Sequence, residues 1–293
     1  KDGEYLSHWG VYGSGDGELN RPAGITIGPD NTVYVVDSRN NRVQKFSLDG
    51  KYLGQFGTAG SGDGEFNLPW GICLDKEGNI FVADWRNDRI QKFTKDGRFL
   101  LKWGSAGSGE GDFSLPWGIA LDEDRNVYVA DWRNDRVQSF TSDGKWLAAF
   151  GRPGAGGQPG TGGDCTFAKE QGGMAYVDAP VGQFNRPSGV CVDNDGDIYI
   201  ADWLNNRVQV LTAEGRFITE FTGDAALSSL GVDKIKSNPD MIRQRNGVRD
   251  FTPEKVLWTP CAVRVDHLGR VLIADTSRHR FQVYQKNTEP LLV

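Results

Sequence analysis

Tryptophan and arginine, adjacent and repeated, are the chemistry this sequence offers most plainly. Asp-Trp-Arg-Asn-Asp-Arg occurs at 84–89 and again at 131–136, placing Trp85 and Arg86 in one copy and Trp132 and Arg133 in the next. Trp203 fills the same slot further on, Ser38 and Arg39 hold it earlier, and Arg278 follows the corresponding aspartate near the end. Trp70 and Trp117, each directly after a proline, add two more indoles. Indole brings rigid apolar area and guanidinium a planar fork of donors that also stacks, so these two side chains are enriched where binding energy concentrates. The candidates for ligand or partner contact are therefore Trp70, Trp85, Arg86, Trp117, Trp132, Arg133, Trp203, Arg39 and Arg278, with packing between repeated units as the competing role of the indoles. The last arginine of each copy (Arg42, Arg89, Arg136, Arg207 and Arg280) is expected to be structural, because a buried guanidinium needs a partner and each copy carries an aspartate in reach.

Catalytic chemistry is thin by comparison. There is no Gly-x-Ser-x-Gly elbow and no His-Glu-x-x-His run. Glycine-rich stretches at 13–18, 60–65 and 107–112 lack the Lys-Ser/Thr of a phosphate loop and the five or more oxygen ligands of a calcium loop, so they read as tight turns. No catalytic residue is assigned.

These residues must be positioned by a repeat. Pro22, Pro69 and Pro116 are spaced by 47 residues, and Pro187 and Pro260 follow at 71 and 73, so two copies carry inserts of roughly two dozen residues. The copy from Leu68 to Trp103 contains four short apolar or alternating stretches with β-branched and aromatic content, joined by turns such as Glu77-Gly78-Asn79 and Asp96-Gly97. Glycine there supplies the positive φ of a tight hairpin. Four antiparallel strands per unit of about 40–50 residues is the pattern of a β-propeller blade.

The copies resemble the NHL-repeat family, whose units read Pro-x-Gly-Ile, Val-Tyr-Val-Ala-Asp and Asn-x-Arg-Ile-Gln-x-Phe. The resemblance covers most of the chain apart from inserts and termini. It implies an all-β fold, an NHL-type propeller of four-stranded antiparallel blades. Residues 2–10 match only the last quarter of a unit, and the fifth unit runs out near Tyr284. Six blades with one incomplete is the expectation, since the family's propellers are usually six-bladed and a chain opening on Lys1 reads as cut; a five-bladed ring is the alternative.

Alternating strand direction places the connections between units, the turn after the second strand, every candidate above and both inserts on one loop-rich face. Residues 1–293 are expected to form a single domain. The insert at 152–186 is too glycine-rich to fold alone, while that at 222–259 carries a helix signal, Asn238 before Pro239. The 33 basic and 39 acidic residues give a mildly acidic chain, and no apolar run approaches a membrane span. Cys73, Cys165, Cys191 and Cys261 have no metal-type spacing and read as buried thiols, which favours a cytoplasmic location.

The expected function is a noncatalytic scaffold binding a protein or small molecule through the loop-rich face, without a cofactor. Related propellers include lyases with a metal held on histidines in the central channel, so a lyase- or hydrolase-like enzyme is the alternative. His8, His267 and His279 fall on different parts of the topology and cannot share a zinc ion; carboxylate-bound calcium in the channel is left open. Some NHL propellers bind single-stranded RNA on this face, a second alternative weakened by acidic net charge and by aspartates interleaved with the arginines.

Overall fold

The computed structural model describes residues 7–153, 181–224, 236–246 and 255–286. Their strands form five successive antiparallel blades. Blade 1 comprises Pro22–Ile27, Val33–Asp37, Arg42–Phe46 and Tyr52–Phe56, and blade 2 Ile72–Leu74, Ile80–Asp84, Arg89–Phe93 and Phe99–Trp103. Blade 3 runs through Pro116–Leu121, Val127–Asp131, Arg136–Phe140 and Trp146–Phe150, and blade 4 through Pro187–Val192, Ile198–Asp202, Arg207–Leu211 and Phe217–Phe221. Blade 5 has three strands, Pro260–Val265, Arg270–Asp275 and Arg280–Gln285.

In blades 1 to 4 every residue of the second strand is buried, because both faces of the sheet are covered by neighbours; this is why the sequence there is continuously apolar rather than alternating. Clusters of core residues lie between blades. Tyr34, Val36 and Val43 of blade 1, for example, pack on Ile72, Ile80, Val82 and Phe93 of blade 2. The first strands approach one another most closely, and the glycine of Pro-x-Gly makes this feasible: a Cβ on Gly71 would lie 2.3 Å from the carbonyl oxygen of Trp117 in the next blade.

The described residues form five blades, the number of the alternative reading, and five copies supply a first, second and third strand. The outward faces of the end blades stay open. Phe281 of blade 5 is 74% exposed, whereas Val43, Ile90, Val137 and Val208 at the same repeat position are fully buried, and Ile25 of blade 1 is 61% exposed. Trp9 covers Phe46 at 4.5 Å between ring centroids. Phe56 covers Phe93 in the same way at 4.9 Å, so Trp9 stands where the fourth-strand aromatic of a preceding blade would stand.

Within the second insert an eight-residue helix spans Pro239–Asn246, with the Asp240 amide donating to Asn238 Oδ1 at 3.0 Å as an Asn cap requires. Residues 154–180 of the first insert lie outside the described residues, as do 225–235 and 247–254 of the second. No helix among the described residues is long and apolar enough to cross a membrane.

Candidate functional site

Each blade builds the same turn after its second strand. A single turn of 3-10 helix (Ser38–Asn40, Trp85–Asn87, Trp132–Asn134, Trp203–Asn205, Thr276–Arg278) ends on a residue in the left-handed conformation: Asn41, Asp88, Asp135, Asn206 or His279. Asn and Asp tolerate that backbone better than most residues. The turn is bound to the connection entering its own blade, with Arg86 N donating to Asn67 O and Arg133 N to Ser114 O, both at 3.0 Å. It is bound to the next blade as well: Asp88 Oδ1 accepts from the Leu115 amide at 2.7 Å and Asp135 Oδ1 from the Arg186 amide at 2.8 Å. These bonds bring the turns and inter-blade connections to one face.

A buried polar network anchors each turn. Asp84 Oδ2 accepts from Asn87 Nδ2 and Arg89 Nε at 2.8 Å each and from Gln91 Nε2 at 3.1 Å, while its Oδ1 accepts from the Asn67 amide. Arg89 spends its remaining donors on the carbonyls of Ser61, Gly62 and Glu65. The arrangement recurs around Asp37, Asp131, Asp202 and Asp275, all fully buried, so the final arginines hold the fold. Burial pushes Asp84 and Asp202 up and Asp131 up to about 6, against the pull of their hydrogen bonds and arginine partners.

Above this network the candidate indoles meet. Ring centroids lie 6.0 Å apart for Trp70 and Trp85, 4.4 Å for Trp70 and Trp117, 5.5 Å for Trp117 and Trp132, and 6.0 Å for Trp132 and Trp203. Five half-buried tryptophans from blades 2, 3 and 4 thus form one ladder beside the first strands. Arg86 lies over Trp85 at 5.3 Å and Arg133 over Trp132 at 6.0 Å. Arg39 stands outside the ladder because blade 1 has Ser38 in the tryptophan slot, and Arg278 lies instead over Trp258 at 5.1 Å.

Three contributors escaped the sequence reading. Arg21 sits over Trp70 at 4.9 Å and Arg186 over Trp132 at 4.5 Å, and Trp258 is the ring beneath Arg278. Arg21 and Arg186 directly precede the anchor prolines, with φ of 56° and 57°. That unusual backbone turns their side chains toward the indoles, and it leaves no mark on residue type, since Leu68, Leu115 and Thr259 occupy the same slot.

Elsewhere, Asp193, Asp195 and Asp197 form the one group of three or more metal-ligating side chains found among the described residues, and they enclose the Lys286 ammonium at 2.7, 2.7 and 2.8 Å. No histidine joins such a group among the described residues. At the hairpin end of the channel a small cavity of about 170 Å³ is lined in part by Asp75, Asp122 and Asp193. Asp75 and Asp122 are bound to Asn79 and Asn126 of their own hairpins. The Cys73 and Cys191 thiols are each pushed up to about 12 by burial, which leaves them unreactive.

Two family descriptions match the chain: "SMP-30/Gluconolactonase/LRE-like region" over residues 15–108, and "NHL repeat" over residues 113–140 and 184–211. Protein brain tumor of Drosophila melanogaster is 29% identical over 125 residues, 36% of this chain and 12% of that protein. The B-box type zinc finger protein ncl-1 of Caenorhabditis elegans is 58% identical over 36 residues, 12% of this chain and 4% of that protein. The chain therefore spans only a small part of the length of these relatives. Virginiamycin B lyase from Staphylococcus aureus superposes with a TM-score of 0.53 at 16% identity, covering 90% of this chain and 70% of the other. A gluconolactonase from Xanthomonas campestris gives 0.53 at 12% identity, covering 87% and 69%. At such identities these two likenesses establish the fold alone. Blades of four antiparallel strands, the recurring Asp-Asn-Arg-Gln network and the matching repeats together identify the chain as a β-propeller built of NHL repeats.

Proposed function

We propose that this chain is a binding module that holds a protein or small-molecule ligand on its loop-rich face. The observation that carries the reading is the tryptophan ladder: five half-buried indoles in mutual contact, flanked by guanidinium groups, where the turns of three blades converge. Rings held this way lose little conformational freedom on binding and still have apolar area to bury, the combination that makes a hot spot. The free thiols of Cys73, Cys191 and Cys261 accord with a cytoplasmic setting for such a module.

The test is a partner captured from the source organism, measured against the Trp85→Ala/Trp132→Ala double variant. Affinity should fall by at least about 2 kcal/mol with the melting temperature little changed. Unaltered affinity in a folded variant would assign the indoles to packing and reject the proposal. Turnover of lactones or streptogramin-type substrates that a chelator abolishes would move the protein to the enzymes its fold resembles.

Single-stranded RNA is a second reading, favoured by one observation. Asp37, Asp84 and Asp131 are buried and paired with Arg42, Arg89 and Arg136, so they do not cancel the exposed charge of Arg39, Arg86 and Arg133.

A further inference from the structure

Charge on the loop-rich face is divided into zones. Around the ladder, Arg21, Arg39, Arg86 and Arg133 are exposed and Arg186 is half-buried, and none of the five has a carboxylate within 4.0 Å among the described residues. Asp88 and Asp135 act on Arg133 and Arg186 through space, while their Oδ1 atoms accept from backbone amides of the next blade. Farther out, the loops between blades carry acids bound to their own surroundings: Glu18 accepts from the Gly15 amide and Glu65 from the Gly62 amide, both at 2.8 Å, and Asp63 pairs with Lys102 at 2.7 Å. A basic centre therefore sits beside loops whose acids are bound to their own surroundings.

Among the described residues the unpaired buried polar atoms near the ladder are mostly nitrogen donors, with the Ser38 hydroxyl beside them. Trp85 Nε1, Trp132 Nε1 and Arg186 Nη1 are buried N–H donors without an acceptor. These atoms are covered by protein, so the donors open to a ligand are the exposed guanidinium groups around them. Trp132 gathers the most of this chemistry, with Arg186 over its ring at 4.5 Å and Arg133 at 6.0 Å.

The rings, half-buried as they are, each have a neighbour over part of a face. Trp70 is covered by Arg21 and Trp117, Trp85 by Arg86, and Trp132 by Arg186 and its neighbouring indoles. Base stacking needs a free aromatic face, and the rings of Trp70, Trp85 and Trp132 offer one only in part, which disfavours nucleic acid. A short segment entering at the centre meets guanidinium forks, which suit carboxylates presented in a plane.

We infer that the loop-rich face recognises a short acidic peptide segment of a partner protein, its side-chain carboxylates taken by Arg133 and Arg186 beside Trp132. This inference rests on the proposal that the ladder is a binding face, and it adds the chemistry of the partner.

The test titrates the full chain calorimetrically with hexaglutamate, with hexaglutamine and with oligouridylate at low ionic strength. Hexaglutamate should bind at least about tenfold more tightly than hexaglutamine, since charge-assisted bonds are about twice as strong as neutral ones. Arg133→Gln and Arg186→Gln should each weaken hexaglutamate about tenfold, while Arg133→Lys, which keeps charge without the planar fork, should recover part of the loss. Thermal melting checks each variant, and Arg133→Gln alone decides if the Arg186 change disturbs the fold. Equal binding of the two peptides, or binding indifferent to both arginines, overturns the inference. Tighter binding of oligouridylate through the same arginines overturns it in favour of nucleic acid. If hexaglutamate fails while the Trp85→Ala/Trp132→Ala variant still releases a captured partner, the acidic peptide falls and the binding face stands; if that variant also changes nothing, the face falls with it.

Discussion

Trp70 and Trp117 belong to different blades, yet their ring centroids are 4.4 Å apart at a tilt of 54°. Each follows an anchor proline and so stands at the start of an inner strand, which makes the contact a bridge across a blade boundary as well as a step of the ladder. Tilted aromatic pairs contribute about 0.5–1.5 kcal/mol beyond the area they bury. A double-mutant cycle with Trp70→Ala and Trp117→Ala, read by chemical denaturation, should show a coupling of that size. Additive losses would mean that the rings are neighbours without being partners.

Two arginines three residues apart should behave oppositely. Arg89 is buried, pairs with Asp84 at 2.8 Å and satisfies three loop carbonyls, whereas Arg86 is exposed above the ladder. Removing one member of a buried pair strands the other charge, so Arg89→Ala should cost about 3–5 kcal/mol of folding stability. Arg86→Ala should stay within about 0.5 kcal/mol, as surface changes do, while still affecting partner affinity. Denaturation midpoints of the two variants would decide the matter, and a large loss for Arg86→Ala would place it in the fold.

How much of this could be read from the sequence follows from what repeats. Asp84, Arg89 and Gln91 recur at fixed offsets in every blade, and Asn87 in all but the last, where Arg278 stands, so strand order, turn position and the structural role of the final arginine were legible. The ladder was half legible: the tryptophans were identified, but their mutual contact depends on the approach of inner strands at Gly71 and Gly118, which spacing along the chain does not encode. Arg21 and Arg186 were missed because their role comes from a positive φ before proline, a backbone property shared with Leu68 and Leu115. Asp84 and Asp131 beside the arginines were counted as surface charge, and their burial reversed that meaning.

The open face of blade 5 gives a contrast within one repeat position. Phe281 is exposed where Val43, sealed by blade 2, has no exposed surface. Val43→Ser removes buried methyls and buries a hydroxyl, and should cost about 2 kcal/mol or more. Phe281→Ser should change stability by less than about 0.5 kcal/mol. Comparable losses in thermal or chemical unfolding would show that something covers blade 5 in the molecule, and would reject the uncovered face.

Salt dependence separates the ligand classes most sharply. Each phosphate neutralised on a single strand releases condensed counterions, so the logarithm of affinity falls with the logarithm of salt concentration at a slope of about −0.7 per contact. Engagement of Arg21, Arg39, Arg86, Arg133 and Arg186 together by RNA would therefore give a steep slope, of roughly −3 to −4 by that rule. A short acidic segment held by Arg133 and Arg186, with the rest of the partner burying indole area, should give a far shallower slope and a negative heat-capacity change on binding. Both quantities come from calorimetry of the captured partner over a range of salt and temperature. A steep slope with no heat-capacity change would remove the tryptophan ladder from the binding account and leave the arginines alone to carry it.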